Sequence, residues 1–437
     1  MQLINFDFRK KKIKSWNNTL SSKAIIVYPK DIKELTKLIK FLKDNKKNYL
    51  IRTGSCSYDS KSINTNLDNI VISLKYINKI SKINLKKRTI EVEAGALLSD
   101  VIKKIKKKNI TLYSVPGGNN ISIGGAISAN VIGKDSSKTI ASFGDALLSL
   151  YVIDENGLIK KIKKNKITLN SYIGGFGMAG IILKAELRVK KITSQNLKIT
   201  SKILKNKNEV LDDFKINSDY HYIQIDPFFR TGNFAISFRG YSTKFKEDIF
   251  RNINLKTYKI EELLFKFLGL FINFITWRIF YKLFFMLNKK KDYVIDIHNF
   301  HYSSKYKHLI PLVCKNGLVD YEILIRKNFI KTFDQIVYFL KKNKVYPIYV
   351  ILKRIHKTKN KYHYSFNKNG FALAISMNKL LLKKNFILSF NNFLYKNNLE
   401  INLSKTDEKF VKYKKNKNYL FSSLYKKMLL NHHEISG

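Results

Sequence analysis

Two glycine pairs, Gly117-Gly118 and Gly124-Gly125, stand seven residues apart in the run VPGGNNISIGGAISANVIG, and that run is largely small or aliphatic. Glycine has no Cβ, so main-chain N–H groups there can approach a diphosphate closely and take up positive φ. Successive N–H groups in such turns make a concave anion site. A third small-residue cluster, Gly174-Gly175-Phe176-Gly177-Met178-Ala179-Gly180, follows about fifty residues on. Each segment alone reads equally well as a tight turn in a β-rich core. Together they read as a cradle for a nucleotide cofactor.

Gly175-Phe176-Gly177-Met178-Ala179-Gly180 also matches G-x-G-x-x-G. A dinucleotide-binding turn of that kind needs a strand before it, a helix after it and an acidic residue about twenty positions later. Here Ile181 to Val189 alternates like a strand, and Thr200 has no acid beside it. The context excludes the doubly wound dinucleotide fold.

The elements that must hold these loops alternate along the first half. Ala24 to Tyr28 suits a short strand. Asp31 caps a helix, with Glu34 in the capping-box position and Ile32, Leu35, Leu38, Ile39 and Leu42 at helical spacing. Tyr49-Leu50-Ile51 reads as the next strand and runs into the turn Arg52-Thr53-Gly54-Ser55-Cys56-Ser57-Tyr58. Strands follow at Ile70–Leu74 and Thr89–Val92, then a helix with Leu98, Val101, Ile102 and Ile105 on one face. Leu147–Ile153 and Leu158–Ile162 flank a hairpin turn at Asp154-Glu155-Asn156-Gly157. From about residue 196 the strand-like runs lengthen: Tyr220–Ile225, Phe234–Phe238, Leu318–Ile325, Tyr346–Leu352 and Gly370–Met377. These predict an α+β fold with an α+β domain over 1–195, completed by 401–437, and a second antiparallel-sheet domain over 196–400.

At 437 residues two domains are the default. The 82 Lys and Arg residues against 32 Asp and Glu give a net charge of +50. Such a surplus attracts anionic partners. It is spread along the whole chain, as a compositional bias would spread it, and an anionic membrane surface is the next reading. No recognition helix, zinc spacing or RNA-binding aromatic motif accompanies it, so no nucleic-acid partner and no metal are expected. Two cysteines, Cys56 and Cys314, imply no disulfide framework. The amino-terminal MQLINFDFRKKKIKSW has no apolar stretch after its basic residues. No signal peptide and a cytoplasmic location are therefore expected.

The segment 263–287, LLFKFLGLFINFITWRIFYKLFFML, is too interrupted to span a bilayer, since its longest charge-free run is Phe267 to Trp277. Lys266, Asn273, Arg278 and Lys282 do not share one helical face. A core helix and a surface that dips into a membrane interface both remain open.

The order of these features resembles the vanillyl-alcohol oxidase family of flavoproteins. The resemblance runs through Arg52–Tyr58, Val115–Gly144 and Gly174–Ala185. Within that family the pattern is most similar to the group that oxidises decaprenylphosphoryl-ribose, through Gly124-Gly125-Ala126-Ile127, Gly133-Lys134, Ser142-Phe143-Gly144 and Gly174 to Ile182. It implies FAD held by Thr53, Gly54, Ser55, Cys56, Ser57, Tyr58, Gly117, Ser122, Gly124, Gly125, Ala129, Ile132, Gly133 and Ile182, under a sheet domain that covers the flavin ring. Cys56 stands where many members carry a flavin-linking histidine, which implies non-covalent FAD. The resemblance also nominates Tyr58, Lys134, Lys353 and Lys405 as proton acceptors or orienters around the flavin face.

It further implies oxidation of the 2-hydroxyl of a polyprenyl-phosphoryl ribose, with a short-chain reductase completing an epimerisation and peripheral membrane contact through 263–287. A soluble aldonolactone or alditol oxidase and a non-catalytic flavin fold are the alternatives. The family histidine before Gly133 is Ile132 here, a cysteine is Ala374, two glutamines are Asp320 and Glu322, and a tryptophan is Gln224. The substrate pocket therefore differs from the family pattern.

Overall fold

The computed structural model describes residues 6–58, 63, 70–118, 120–154, 157–163, 167–177, 179–246, 259–289, 291–302, 310–360, 362 and 365–405. Three sheets carry the architecture. The first holds β1 (Phe8–Lys14), β2 (Ser21–Val27), β3 (Tyr49–Arg52) and β4 (Ile70–Ser73) in the order β1-β2-β4-β3. β2 and β3 both run parallel to β4, and α1 (Ile32–Asp44) makes the crossover between them. Asp31 caps α1 by accepting from the Glu34 amide, and Glu34 accepts from the Lys30 amide. Leu35, Leu38, Ile39 and Leu42 are buried, as their spacing requires.

The second sheet contains β5 (Thr89–Glu93), β6 (Ile110–Leu112), β7 (Leu147–Ile153), β8 (Ile159–Lys163) and β9 (Ile181–Lys191), with β9 pairing β5, β6 and β7. α2 (Leu98–Ile105) and α3 (Ile123–Ser128) pack with α1 into one core with these two sheets. α4 (Ile167–Tyr172) leads into the third glycine cluster, and a strand, β9, follows it, as the alternation at Ile181–Val189 predicts. The hairpin expected over 147–162 forms, although positions 155 and 156 of its turn lie outside the described residues.

The third sheet has eight strands: β10 (Asn196–Leu204), β11 (Tyr220–Ile225), β12 (Ala235–Thr243), β13 (Lys291–Asp296), β14 (Leu318–Ile325), β15 (Tyr349–Ile355), β16 (Gly370–Asn378) and β17 (Glu400–Ile401). Every pairing in it is antiparallel. α5 (Lys207–Asp213), α6 (Lys259–Leu268), α7 (Phe274–Leu287), α8 (Ile297–His301), α9 (Ile310–Val313), α10 (Phe329–Lys342) and α11 (Phe386–Lys396) are carried on its loops. The period of two sorts its side chains. Ile223, Ile225, Tyr321, Ile323, Val350 and Leu352 pack on α10 and α11. The alternate positions Tyr222, Gln224, Asp320, Glu322, Tyr349, Ile351 and Lys353 turn to a cleft.

Of residues 401–437, 406–437 lie outside the described residues, and Ile401 pairs with Ile323 of β14, at the edge of the large sheet. The segment 263–287 is not a core helix. It is two helices meeting at 119°, with most of its large apolar side chains exposed. No single helix among the described residues is long and apolar enough to cross a membrane.

Candidate functional site

Arg52 ends β3 and ties the following loop down. Its Nε donates to Ser55 Oγ at 2.9 Å and its terminal nitrogen to the Lys14 carbonyl at 2.8 Å. Ser55 then turns through φ +60°. Gly54 lies against the second glycine segment so closely that a Cβ would sit on the Asn120 carbonyl oxygen and 2.9 Å from Ser122 N. Thr53 and Ser122 share a hydroxyl–hydroxyl hydrogen bond, and Ser122 Oγ accepts from the Gly125 amide at 3.2 Å. A Cβ on Gly125 would project toward those two hydroxyls, 3.1 Å from Ser122 Oγ and 3.8 Å from Thr53 Oγ1. Glycine there keeps a concave wall of hydroxyls and main-chain groups open.

Further along, Gly133 donates to Ser114 Oγ at 2.9 Å, and its Cβ position is only 2.6 Å from the Ser114–Val115 backbone. All three glycine segments therefore converge on one cleft of about 1310 Å³. Every position nominated above for the cofactor, from Thr53 to Ile182, lines it, and so do Tyr58, Lys134, Lys353 and Lys405. The fit to FAD rests on this: a large cleft, small residues where a diphosphate must come close, and apolar Val115, Ile132 and Ile182 beside them for a flat ring system. Cys56 is half-buried with its thiol toward the Gly54 carbonyl.

The large sheet supplies the opposite wall. Glu322 on β14 is 2% exposed and meets two ammonium groups, Lys405 Nζ at 2.8 Å and Lys353 Nζ at 3.5 Å. Asn402 donates to its second oxygen at 2.7 Å. Burial alone raises the Glu322 carboxyl, but Lys405, Lys353 and these hydrogen bonds bring it down to about 2. Burial draws the Lys353 ammonium below the usual lysine range, against the pull of Glu322 and with Lys405 adding repulsion. Lys353 also donates to the Ile132 carbonyl at 3.0 Å, which joins this wall to the cofactor loops. Lys353 and Lys405 are thus held as hydrogen-bond donors, the orienting role among those open to them. Beside them Ser376 hydroxyl donates to Asp320 across the β14–β16 register. Tyr58 is held protonated, its hydroxyl raised well above the usual phenol range by burial and then by Asp320.

Lys134 lies between two rings, 4.5 Å from the Tyr222 centroid and 4.3 Å from that of Phe300. Next to it stands a residue that the sequence reading passed over. His301 closes α8, a helix capped by Asp296, and is 2% exposed. It lines the cleft, and neither of its ring nitrogens has a hydrogen-bond partner. Burial, then Lys134, Lys190 and His298, push its imidazole well below the usual histidine range, so it stays neutral. A lone histidine 167 positions after Lys134 carries no motif, and only the fold brings the two together. No group of three or more His, Cys, Asp or Glu suited to a metal occurs among the described residues.

This cleft, between glycine-rich loops and a covering sheet, defines a flavin-binding two-part protein. Residues 23–163 match the family described as FAD binding domain, which makes FAD the cofactor of this cleft. Among curated relatives, the decaprenylphosphoryl-beta-D-ribose oxidase of Mycolicibacterium smegmatis is 23% identical over 193 residues, 43% of this chain and 41% of that one. The UDP-N-acetylenolpyruvoylglucosamine reductase of Fusobacterium nucleatum is 35% identical over 109 residues, 23% of this chain and 34% of that one. The chain thus spans less than half the length of these relatives. A cholesterol oxidase from B. sterolicum superposes with a TM-score of 0.69 at 10% identity, over 90% of this chain and 84% of that one, which shows the shared fold.

Proposed function

We propose that the protein oxidises a secondary alcohol of a sugar carried on a lipid phosphate, the 2-hydroxyl of a polyprenyl-phosphoryl ribose fitting best. The carrying observation is the composition of one cleft: a flavin cradle on one wall, a Glu322–Lys353–Lys405–Asn402 cluster on the other, and an apolar helical hairpin at its side. The likeness to the mycobacterial ribose oxidase supports the sugar. Bound FAD supplies the two-electron acceptor for the hydride that leaves the carbinol carbon.

The residues do the rest. Glu322 with its two lysines carries one net positive charge, so of the two acidic substitutions on β14 Glu322 does not itself repel a phosphate. Asn402 and the lysines orient sugar hydroxyls by donating to them, and the same ammonium groups stabilise negative charge growing on the flavin edge. The hydroxyl proton passes to neutral His301, whose ring nitrogens are buried without a hydrogen-bond partner and meet the substrate once the ring turns to the cleft that it lines. The ketone product then suits a short-chain reductase that completes an epimerisation. The basic surface and the exposed hairpin support a cytoplasmic protein resting on the inner face of a membrane.

Two measurements test this. Anaerobic addition of polyprenyl-phosphoryl ribose is expected to bleach the flavin absorbance; an unchanged spectrum with that substrate removes the proposal. His301→Gln should retain flavin but slow bleaching by about 10²-fold. Because burial, and after it the facing Lys134, Lys190 and His298, keep His301 neutral, the wild-type rate should stay flat from pH 8 down through 6.5 and fall only below that. Equal rates in both proteins would take the base role from His301.

A further inference from the structure

We infer that the α6–α7 hairpin is a lateral gate, through which the apolar tail of a lipid substrate passes from a bilayer into the flavin cleft without crossing water. This rests on the lipid-linked reading above and adds the route. The observation is a helical hairpin with apolar side chains on both sides. Leu268, Phe271 and Phe280 line the cleft. On the outer side of the same helices Leu263, Leu270, Ile275, Leu283 and Met286 are exposed, with Leu270 at 74% and Ile275 at 66%. Soluble monomers rarely show so continuous an apolar surface unless something covers it.

One face of α7 is seated along its length, Phe274 against Phe228 and Tyr346, and Tyr281 and Phe285 in the core with Leu197 and Ile199, which leaves the other faces of the hairpin to the cleft and the exterior. Gly269, at the break, is packed so tightly that a Cβ would strike the Val313 carbonyl. Trp277 Nε1 donates to the Ile348 carbonyl at 2.9 Å, and Tyr281 Oη donates to the same oxygen at 3.1 Å. Other inner side chains of the hairpin border the cleft, and its outer apolar side chains are exposed among the described residues. Charge selects the occupant. Lys266, Arg278, Lys282, Lys289 and Lys291 surround the patch, against Glu261, Glu262 and Asp292 nearby. A second copy of a chain with net charge +50 would be repelled, whereas anionic lipid headgroups complement it. The occupant is therefore an anionic bilayer surface, with the hairpin lying in its interfacial layer.

The test uses the flavin-loaded full chain and vesicles of phosphatidylglycerol mixed with phosphatidylcholine. Leu270→Asp/Ile275→Asp alters two outward residues that do not line the cleft. The variant is expected to stop floating with the vesicles and to lose at least tenfold in kcat/KM toward a long-tailed substrate embedded in them. Its rate with a short-tailed, water-soluble analogue should equal that of the wild type. Lipids brominated on their acyl chains should quench the wild-type fluorescence and leave Trp277→Phe, in which Trp16 remains, far less affected. Wild-type turnover of vesicle-borne substrate by the aspartate variant overturns the gate, as does a Trp277 emission indifferent to bromine. A dimer that the aspartate variant dissolves would assign the patch to self-association and overturn it equally. If neither protein is bleached by the short-tailed analogue, the sugar reading falls, while flotation and quenching still decide the gate.

Discussion

Gly125→Val yields a folded but colourless protein. The added Cβ meets only Ser122 Oγ and Thr53 Oγ1, the hydroxyl wall of the cofactor cradle, and the valine methyl groups extend from there. Valine has a slightly better helix propensity than the glycine it replaces, so the short helix itself is not weakened. Flavin binding instead requires main chain and hydroxyls at hydrogen-bond distance from a diphosphate, and two methyl groups in that gap abolish the approach. The expected readings are a far-ultraviolet circular dichroism spectrum like the wild type's and absorbance near the flavin bands reduced at least tenfold. Gly54→Ala is the harsher companion. Its Cβ overlaps the Asn120 carbonyl, so the two loops must separate, and both flavin and melting temperature are lost together. A yellow Gly125→Val protein with normal FAD content would remove the cradle from this wall of the cleft.

The cradle was legible in sequence because it is made of backbone. Where two loops must touch, glycine is nearly the only solution, so Gly54, Gly124, Gly125 and Gly133 leave a signature with recognisable spacing. The cleft face of the large sheet was legible in part, through period-two runs such as Leu318–Ile325 that the structure reproduces residue for residue. Edge strands were not. β1 reads FRKKKIK, and only Ile13 is buried, so five basic residues mask its alternation. β13 at Lys291–Asp296 is hidden in the same way behind the basic tail of the hairpin. The hairpin itself defied a one-face pattern because its inner residues border the cleft and its outer ones are uncovered, so both sides are apolar. His301 had no local signal at all. Its environment comes from Lys134, Lys190 and Tyr220, each contributed by a different part of the chain.

Glu322→Gln shows how far the substrate wall depends on one charge. The amide keeps the shape and can still meet Asn402, but it leaves Lys405 and Lys353 facing each other without a carboxylate. Losing one member of a buried ionic cluster costs about 3–5 kcal/mol, because the remaining charges stay desolvated and unpaired. The shift of Glu322 from 4.5 to about 2 points to the same size, about 3 kcal/mol. A melting temperature lower by on the order of 10 °C is expected near neutral pH. The sign of its pH dependence separates charge from packing. A depressed carboxyl stabilises the fold fully above pH 4.5 and loses that contribution as pH falls toward 2, so the gap between variant and wild type should close over that window. It should also narrow in alkali, where Lys353, already drawn down by burial and now without Glu322, can shed its proton. Glu322→Gln/Lys353→Met removes the unpaired cation outright and should recover much of the stability at pH 7. A deficit that is the same at pH 3, 7 and 10, and that the double variant does not relieve, would mean that Glu322 acts by shape alone and that the two lysines are not held in place by its charge.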